Sequence, residues 1–183
     1  ALVKLPITMA QLHKLKQLDV GGNRLVELPE FIGDMRNLES LWALDNSIAT
    51  LPNSIGELKA LRELCVGNNK LHKLPECIGE LHALEKLDAY NNMLAHLPHS
   101  VGHLHAVKQL DVRHNKLTQL PSSIGEMSAL YHLGTLDASE NALTHLPKSI
   151  GKLHSLHTLY VFNNKLTELP ESFGELKTLH KLW

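Results

Sequence analysis

Histidine is the first residue type in this chain that could do chemistry. The sequence contains thirteen histidines, and imidazole nitrogens bind Zn²⁺ or Ni²⁺ and titrate at about pH 6.5. His82 and His105 are 23 residues apart, and His99 and His103 lie close to the second of them. No cysteine or carboxylate completes a fixed tetrahedral set. We therefore expect solvated surface histidines and assign no metal and no cofactor; a weak metal site and a pH-sensitive surface are the alternatives.

Motifs that would indicate catalysis are absent from the sequence. There is no G-x-x-x-x-G-K-[ST], no G-x-G-x-x-G, no G-x-S-x-G and no H-E-x-x-H. The sequence therefore predicts no catalytic residue and a protein that is not an enzyme.

Bulk composition narrows the class further. The formal net charge of −1 gives no overall field toward nucleic acid or an anionic membrane, so neither is expected as a partner. No apolar run approaches the roughly 20 residues of a membrane-spanning helix. Cys65 and Cys77 are expected to stay unpaired, and no N-x-S/T sequon occurs. Reduced cysteines without glycosylation sites favour a cytoplasmic protein.

Two residue types recur at a fixed spacing, which indicates the structural elements that position the histidines and other polar side chains. Each proline follows a leucine, and each step is 23 residues except one of 26: Pro6, Pro29, Pro52, Pro75, Pro98, Pro121, Pro147 and Pro170. Asparagines keep the same spacing with the same single slip: Asn23, Asn46, Asn69, Asn92, Asn115, Asn141 and Asn164. A fixed period of this length is typical of a solenoid. We therefore predict one repeat domain over 1–183, with the longer repeat at 120–145.

One repeat carries a recognisable signature. Leu61, Leu64, Val66, Asn69 and Leu71 match L-x-x-L-x-L-x-x-N-x-L, and on this pattern the chain resembles leucine-rich-repeat proteins over essentially its whole length. The segment L-P-x-S-I-G-x-L is similar to the 23-residue cytosolic class, which includes Ras-associated scaffolds, plant intracellular relatives, Roco GTPases and bacterial proteins. The resemblance implies an α/β solenoid of about eight repeats, a horseshoe with a parallel concave β-sheet and short helical or 3₁₀ convex segments.

The local pattern agrees with that architecture. Leu64 and Val66 alternate with variable residues, which predicts a half-buried strand. The asparagine is expected to be structural, its amide bonded to backbone groups of its own and the next coil. The convex segments carry S/T-x-x-E/Q patterns that predict helix-capping boxes: Thr8/Gln11, Ser54/Glu57, Ser123/Glu126 and Ser172/Glu175.

Two irregularities interrupt the repeat. The three extra residues fall between Leu130 and Leu136, where leucines three apart predict one added 3₁₀ turn, either tolerated or shaping a docking site at Tyr131 and His132. The chain also opens on half a repeat and stops at Trp183 without visible polar caps. We therefore expect a fragment of a longer array, or ends covered by other segments.

The outward strand positions form the surface most indicative of function. Aromatic residues and arginine, the typical anchors of protein interfaces, cluster in two columns of this face. From these columns the predicted partner-binding residues are Trp42, Leu44, Asp88, Tyr90, Asp111, Arg113, Asp137, Tyr160 and Phe162. Aromatics also suit strands in general, so an ordinary strand preference is the competing interpretation.

Three of these residues, Asp88, Asp111 and Asp137, are expected to stack roughly 5 Å apart. At that distance like charges raise one another's pKa, and Lys86 and Arg113 would offset the repulsion. The row is either an acidic slot for a partner's Lys or Arg or a solvated, tolerated stripe.

Three functional hypotheses follow. The first is a cytoplasmic scaffold that binds a protein partner on its concave sheet, for which the family resemblance suggests a small GTPase or a phosphatase. The second is the recognition segment of a larger enzyme, such as a Roco-type GTPase, a kinase or a bacterial ubiquitin-ligase effector. The third, a receptor ectodomain, would predict sequons and cysteine-paired caps, which are absent.

Overall fold

A computed structural model describes residues 1–130 and 133–183 of the chain. Its described residues form a series of coils in which a short strand alternates with a short 3₁₀ helix. The strands are β1 Gln17–Asp19, β2 Ser40–Trp42, β3 Glu63–Cys65, β4 Lys86–Asp88, β5 Gln109–Asp111, β6 Thr135–Asp137, β7 Thr158–Tyr160 and β8 Lys181–Leu182. The 3₁₀ helices are η1 Ile7–Gln11, η2 Glu30–Asp34, η3 Asn53–Glu57, η4 Glu76–Glu80, η5 His99–His103, η6 Ser122–Leu130, η7 Lys148–Lys152 and η8 Glu171–Glu175.

The strands form one parallel sheet in chain order, which confirms the predicted leucine-rich-repeat solenoid with its sheet on the concave side. Each strand pairs with the next at an offset of 23 residues, as in Leu64 with Leu87. Across the longer repeat the offset becomes 26, as in Leu110 with Leu136, and the pairing stays in register. The leucines that face inward from strand and convex segment are fully buried, and both Leu58 and Leu61 are 0% exposed. A continuous apolar core therefore lies between sheet and convex segments.

The longer repeat contains a longer convex helix. Helix η6 runs for nine residues, whereas η5 and η7 run for five each. The longer helix agrees with the predicted additional 3₁₀ turn. The predicted alternative docking site at Tyr131 and His132 lies outside the described residues.

The asparagine column is structural, as predicted. Asn69 donates from Nδ2 to the carbonyls of Ala43, Val66 and Gly67 at 2.9–3.1 Å and accepts at Oδ1 from the backbone N–H of Ile48 at 2.9 Å. One side chain thus hydrogen-bonds four backbone groups around the tight turn. The direction was predicted wrongly, because Ala43 and Ile48 belong to the preceding coil and not to the next one.

The predicted capping boxes are wrong. The residue before each five-residue helix is a proline, such as Pro52, and none of these helices has a side-chain cap hydrogen bond. The serine hydroxyl bonds to the neighbouring coil instead: Ser54 Oγ donates to the carbonyl of Glu30 in the preceding coil at 2.6 Å. A capping serine must precede the first helical residue, whereas here the serine is the second residue of the helix.

The glycine of the S-I-G motif sets how closely neighbouring coils approach. A Cβ on Gly79 would lie 2.5 Å from the carbonyl oxygen of Ser100 and 2.7 Å from its Cβ. The same contact recurs along the convex side, at 2.6 Å for Gly33 and 2.4 Å for Gly102. Glycine is therefore required here by contact with the next coil, since only a residue without a Cβ fits.

Candidate functional site

The candidate site is the concave face, built from two columns of side chains that alternate with buried leucines. The strand register places Trp42, Cys65 and Asp88 side by side, followed by Asp111 and Asp137. A second column lies two residues past the end of each strand and consists of Gly21, Leu44, Gly67, Tyr90, Arg113, Ser139 and Phe162. Because strand side chains alternate in direction, both columns project from the face opposite the core.

At one end of this face lies an N-terminal apolar patch, which consists of Trp42, Leu44 and Tyr90. All three side chains are half-buried, and the indole N–H of Trp42 donates to the Glu63 carboxylate at 3.1 Å. The ring of Tyr90 covers Gly67: a Cβ there would lie 2.3 Å from Tyr90 Cε1 and 3.1 Å from Leu44 Cδ2. Gly67 thus lets Tyr90 lie flat toward Leu44, which joins the patch into one surface.

A polar ladder beside this patch holds the tyrosine. Asn68 donates to the hydroxyl oxygen of Tyr90 at 2.8 Å and to Asp45 Oδ1 at 2.7 Å, and it accepts from Asn91 at 2.6 Å. Asp45, Asn68 and Asn91 all have positive φ, between 48° and 55°. The repeat pattern alone did not predict this ladder. Its signal was the residue before each structural asparagine, often Gly, Asp or Asn, the types that best tolerate this backbone conformation.

At the other end lies a C-terminal aromatic patch, which consists of Tyr160, Phe162 and Trp183. The rings of Tyr160 and Trp183 stack with centroids 6.5 Å apart and an interplanar angle of 23°. Phe162 is 41% exposed and Trp183 is 66% exposed. The concave face therefore carries aromatic surface at both ends.

Between the patches lies the aspartate row, Asp88, Asp111 and Asp137, adjacent in register as predicted. In each residue Oδ1 accepts from the backbone N–H two residues on, and Asp137 also accepts from the Ser139 hydroxyl at 2.6 Å. These bonds fix the carboxylates through Oδ1, and the Oδ2 atoms of Asp111 and Asp137 lie near the Arg113 guanidinium.

The pKa values of the aspartate row depend on burial in addition to the predicted repulsion. Burial is the main reason that the pKa of Asp111 rises to about 6, and the carboxylates of Asp137 and Asp88 raise it further by a smaller amount. Burial likewise raises the pKa of Asp88. The predicted like-charge repulsion thus contributes to the pKa of Asp111, and desolvation is the larger effect.

Arg113 links the aspartate row to the N-terminal apolar patch. Its Nε lies 3.5 Å from Asp111 Oδ2, and its Nη1 lies 3.7 Å from Asp137 Oδ2. The guanidinium carbon lies 5.0 Å from the centroid of the Tyr90 ring. The structure therefore connects five of the nine predicted residues into one group: Asp88, Tyr90, Asp111, Arg113 and Asp137. A sixth, Tyr160, lies beside the aspartates, as does Lys86.

Three positions of the columns are not available as open surface. Cys65 is 2% exposed and Ser139 is 0% exposed, although both occupy outward positions. Asp137 is 8% exposed and forms the floor of the face. Small side chains between larger neighbours become covered, which periodicity alone does not reveal.

The residues with metal-binding chemistry do not form a centre. In residues 1–130 and 133–183, no group of three or more His, Cys, Asp or Glu side chains is arranged to hold a metal ion. The ring centroids of His103 and His105 lie 6.5 Å apart, and those of His157 and His180 lie 5.6 Å apart. Cys65 and Cys77 are not bonded to each other, and burial raises the pKa of Cys65 to about 11. No helix in the described part of the chain is long and apolar enough to cross a bilayer.

The fold and the columns define a repeat solenoid with an open parallel sheet, and comparison with known families agrees. A model described as a leucine-rich repeat region matches residues 7–93, and a second leucine-rich-repeat model matches residues 107–166. The chain belongs to the leucine-rich-repeat family. A search of curated proteins returned no match.

Solved structures are similar over almost the whole chain. A leucine-rich-repeat protein of Leptospira interrogans aligns with a TM-score of 0.92 and 36% identity, over 98% of this chain and 47% of that one. The ectodomain of the Arabidopsis thaliana receptor kinase GASSHO1/SCHENGEN3, in complex with Casparian strip integrity factor 2, aligns at 0.82 and 29%, over 97% and 22%. The plant peptide hormone receptor RGFR1, in complex with RGF2, aligns at 0.81 and 30%, over 96% and 33%. This chain spans less than half the length of each.

Proposed function

We propose that this protein is a binding module that holds a protein or peptide partner on its concave face and that it is not an enzyme. The observation that carries the proposal is that an open sheet bears both the N-terminal apolar patch and the C-terminal aromatic patch. Aromatic surface exposed to water is favourable only if something covers it, and a partner that buries Tyr, Trp and Arg side chains gains most of its affinity from them.

The way the patches are held supports this proposal. Trp42 and Tyr90 are each held by a hydrogen bond, and Tyr160 is stacked on Trp183. Side chains that are already ordered lose little conformational entropy when a partner covers them. The sheet beneath them is one continuous hydrogen-bonded unit, so the patches keep their spacing.

Similar structures supply independent support for the class of ligand. Two of them are complexes, one with Casparian strip integrity factor 2 and one with RGF2. Those ligands belong to those receptors. For this chain they support a protein or peptide as the ligand, and the concave face as its place is our inference from the exposed aromatics.

The finer assignments rest on the sequence. We propose the 23-residue cytosolic class and a cytoplasmic location, supported by the unpaired cysteines and the absence of sequons. A small GTPase or a phosphatase as partner, and a recognition segment of a larger enzyme as the alternative function, remain predictions from the family resemblance.

A quantitative pull-down with two matched double variants tests the proposal. Trp42→Asp with Tyr160→Asp places charges on both patches, whereas Ile7→Asp with Val26→Asp changes two exposed apolar residues away from the concave face, 70% and 56% exposed. Circular dichroism checks that both variants fold. We expect the first variant to lose partners that the control retains. Equal retention by both would place binding elsewhere and refute a concave-face site.

A further inference from the structure

A row of charged side chains precedes the strands, at the rim of the sheet where each strand begins. Along the first five coils the row alternates in sign and is ion-paired. Lys16 Nζ lies 2.8 Å from the Glu39 carboxylate. Arg62 and Lys108 both contact the Glu85 carboxylate, at 2.8 and 2.6 Å. Each cation of this part of the rim therefore has a carboxylate partner in the chain itself.

The same row changes character in the last two coils. It continues with His157 and His180, whose rings stack with centroids 5.6 Å apart and an interplanar angle of 12°, and Lys181 follows directly. All three side chains are exposed. In the part of the chain that the structure describes, no carboxylate oxygen lies within 4.0 Å of their nitrogens. These three side chains form a basic rim without ion-pair partners.

The basic rim borders the C-terminal aromatic patch. In the strand register, Lys181 is related to Tyr160 as Glu63 is to Trp42, one coil on and 21 residues later. The indole N–H of Trp42 donates to the Glu63 carboxylate at 3.1 Å, which shows that side chains at these two positions reach each other. The two ends of the concave face therefore differ in charge: the N-terminal apolar patch borders a carboxylate, whereas the C-terminal aromatic patch borders a cation.

The carboxylates of the last two coils lie on another side of the molecule. Residues 141–167 contain no Asp or Glu. Three carboxylates of the last coil line a convex groove together with Lys148: Glu168, Glu171 and Glu175. His154 and Lys177, each three residues before a histidine of the basic rim, are exposed and add positive charge. The surroundings of the basic rim on its convex side are thus cationic.

On the concave side, the groups that face the aromatic patch from the preceding coils are acidic. Asp137 pairs in register with Tyr160, accepts from the Ser139 hydroxyl and lies 3.7 Å from Arg113. Asp111 lies one coil further away. An acidic group of a partner that contacts the aromatic patch is repelled from the aspartate row and attracted to the basic rim, so the charges fix its direction.

We infer that the C-terminal end of the concave face binds an acidic, apolar protein segment. An aromatic or aliphatic side chain of the segment packs on Tyr160 and Trp183, and a neighbouring Asp or Glu contacts the basic rim. A carboxylate placed there also offsets the repulsion between His157 and His180 when both are protonated. Imidazole in water gains its proton at about pH 6.5, so binding strengthens as the pH falls from 8 to 6. The inference rests on the proposed concave-face function and specifies the partner's chemistry.

The test begins with a cell-free displayed library of random twelve-residue peptides that lack histidine, selected on the full chain at pH 6. We expect enriched peptides to carry Asp or Glu close to an aromatic or aliphatic residue. Binding of a selected peptide, measured by fluorescence polarisation, should weaken about five- to tenfold with Lys181→Glu, and lysine in place of the peptide's acidic residue should restore part of that loss. Lys73→Glu, an equal charge change at an exposed residue beside Pro75, is the matched control and should alter affinity less than about twofold.

The pH dependence is measured in an Asp111→Asn background, because that carboxyl has a pKa of about 6 and titrates in the same range. In this background the peptide should bind about three- to tenfold more tightly at pH 6 than at pH 8. Addition of His157→Gln and His180→Gln should reduce that ratio to less than about twofold. Circular dichroism at both pH values checks that each variant is folded.

The contrary results separate this inference from the proposed function. Enriched peptides without acidic residues, equal effects of Lys181→Glu and Lys73→Glu, or a pH ratio unchanged by the histidine substitutions would overturn the inference. If the Trp42→Asp, Tyr160→Asp variant still abolished binding of those peptides, the concave-face function would stand without it. If the selection enriched no peptide, the inference would fail, and the pull-down with that double variant would decide the proposed function separately.

Discussion

Replacement of Asn92 by alanine tests the account of the asparagine column. Asn92 is 8% exposed and donates to the carbonyls of Val66, Ala89 and Tyr90 at 3.0–3.1 Å. Each of these carbonyls also accepts from a second donor, so each keeps one partner in the variant. Within residues 1–130 and 133–183, the backbone N–H of Leu71 bonds only to Asn92 Oδ1, at 2.9 Å, and would be left unpaired in the core.

The expected loss of folding stability follows from this one unpaired N–H group. A buried N–H without a partner costs about 1–3 kcal/mol, so we expect Asn92→Ala to lower the free energy of unfolding by about 2 kcal/mol. For a chain of this size that corresponds to a Tm lower by roughly 4–8 °C. Asn53→Ala, at an exposed residue of η3, is the control and should stay within about 0.5 kcal/mol of the parent chain. Urea denaturation and thermal melting followed by circular dichroism measure both, and equal stability of the two variants would refute the reasoning.

Three further predictions concern packing, protonation and thiol reactivity. Gly79→Ala should destabilise the chain by about 1–3 kcal/mol because its Cβ would overlap the next coil, whereas Gly174→Ala, where nothing lies within 4 Å, should be nearly neutral in thermal melts. Asp111 has a folded-state pKa of about 6, above its unfolded value, so its ionisation opposes folding. Asp111→Asn should therefore stabilise the chain by about 1–3 kcal/mol at pH 7.5. Urea denaturation at several pH values should show this gain in stability shrinking as the pH falls from 6 to 4. Burial raises the pKa of both Cys65 and Cys77, so Ellman's reagent at pH 8 should modify both native thiols more slowly than those of the urea-unfolded chain, and the buried Cys65 at least tenfold more slowly.

Contrary results would have specific meanings. Equal melting temperatures for the two glycine variants would show that neighbouring coils can separate without cost. A pH-independent effect of Asp111→Asn would mean that this carboxylate is well solvated. Fast thiol modification in the native chain would mean that the sheet opens locally around Cys65.

The repeat made most of the fold predictable. Leu64 and Asn69 recur with neighbours of the same type in every coil, so each coil must solve the same packing problem in the same way. The position of the longer repeat could also be predicted, because the leucines remain three apart around it. The roles of Ser54 and Gly79 could not, since both act through the adjacent coil, whose distance depends on curvature.

For the candidate site, periodicity predicted which residues face outward but not how they interact. Asp88, Asp111 and Asp137 fall beside one another by counting alone. The tilt of Tyr90 over Gly67 depends on side-chain directions that counting does not specify.

The sequence by itself determined the solenoid, the parallel register, the structural asparagines and the membership of the two outward columns, because all of these follow from a fixed period. Only the tertiary structure decided that Cys65 and Ser139 are covered and that burial, more than repulsion, raises the pKa of Asp111. It also decided that Arg113 bridges the aspartate row and Tyr90. The physical reason is that exposure and desolvation depend on the sizes and directions of side chains in adjacent coils, 23 or 26 residues away, whereas the repeat pattern records only where each side chain begins.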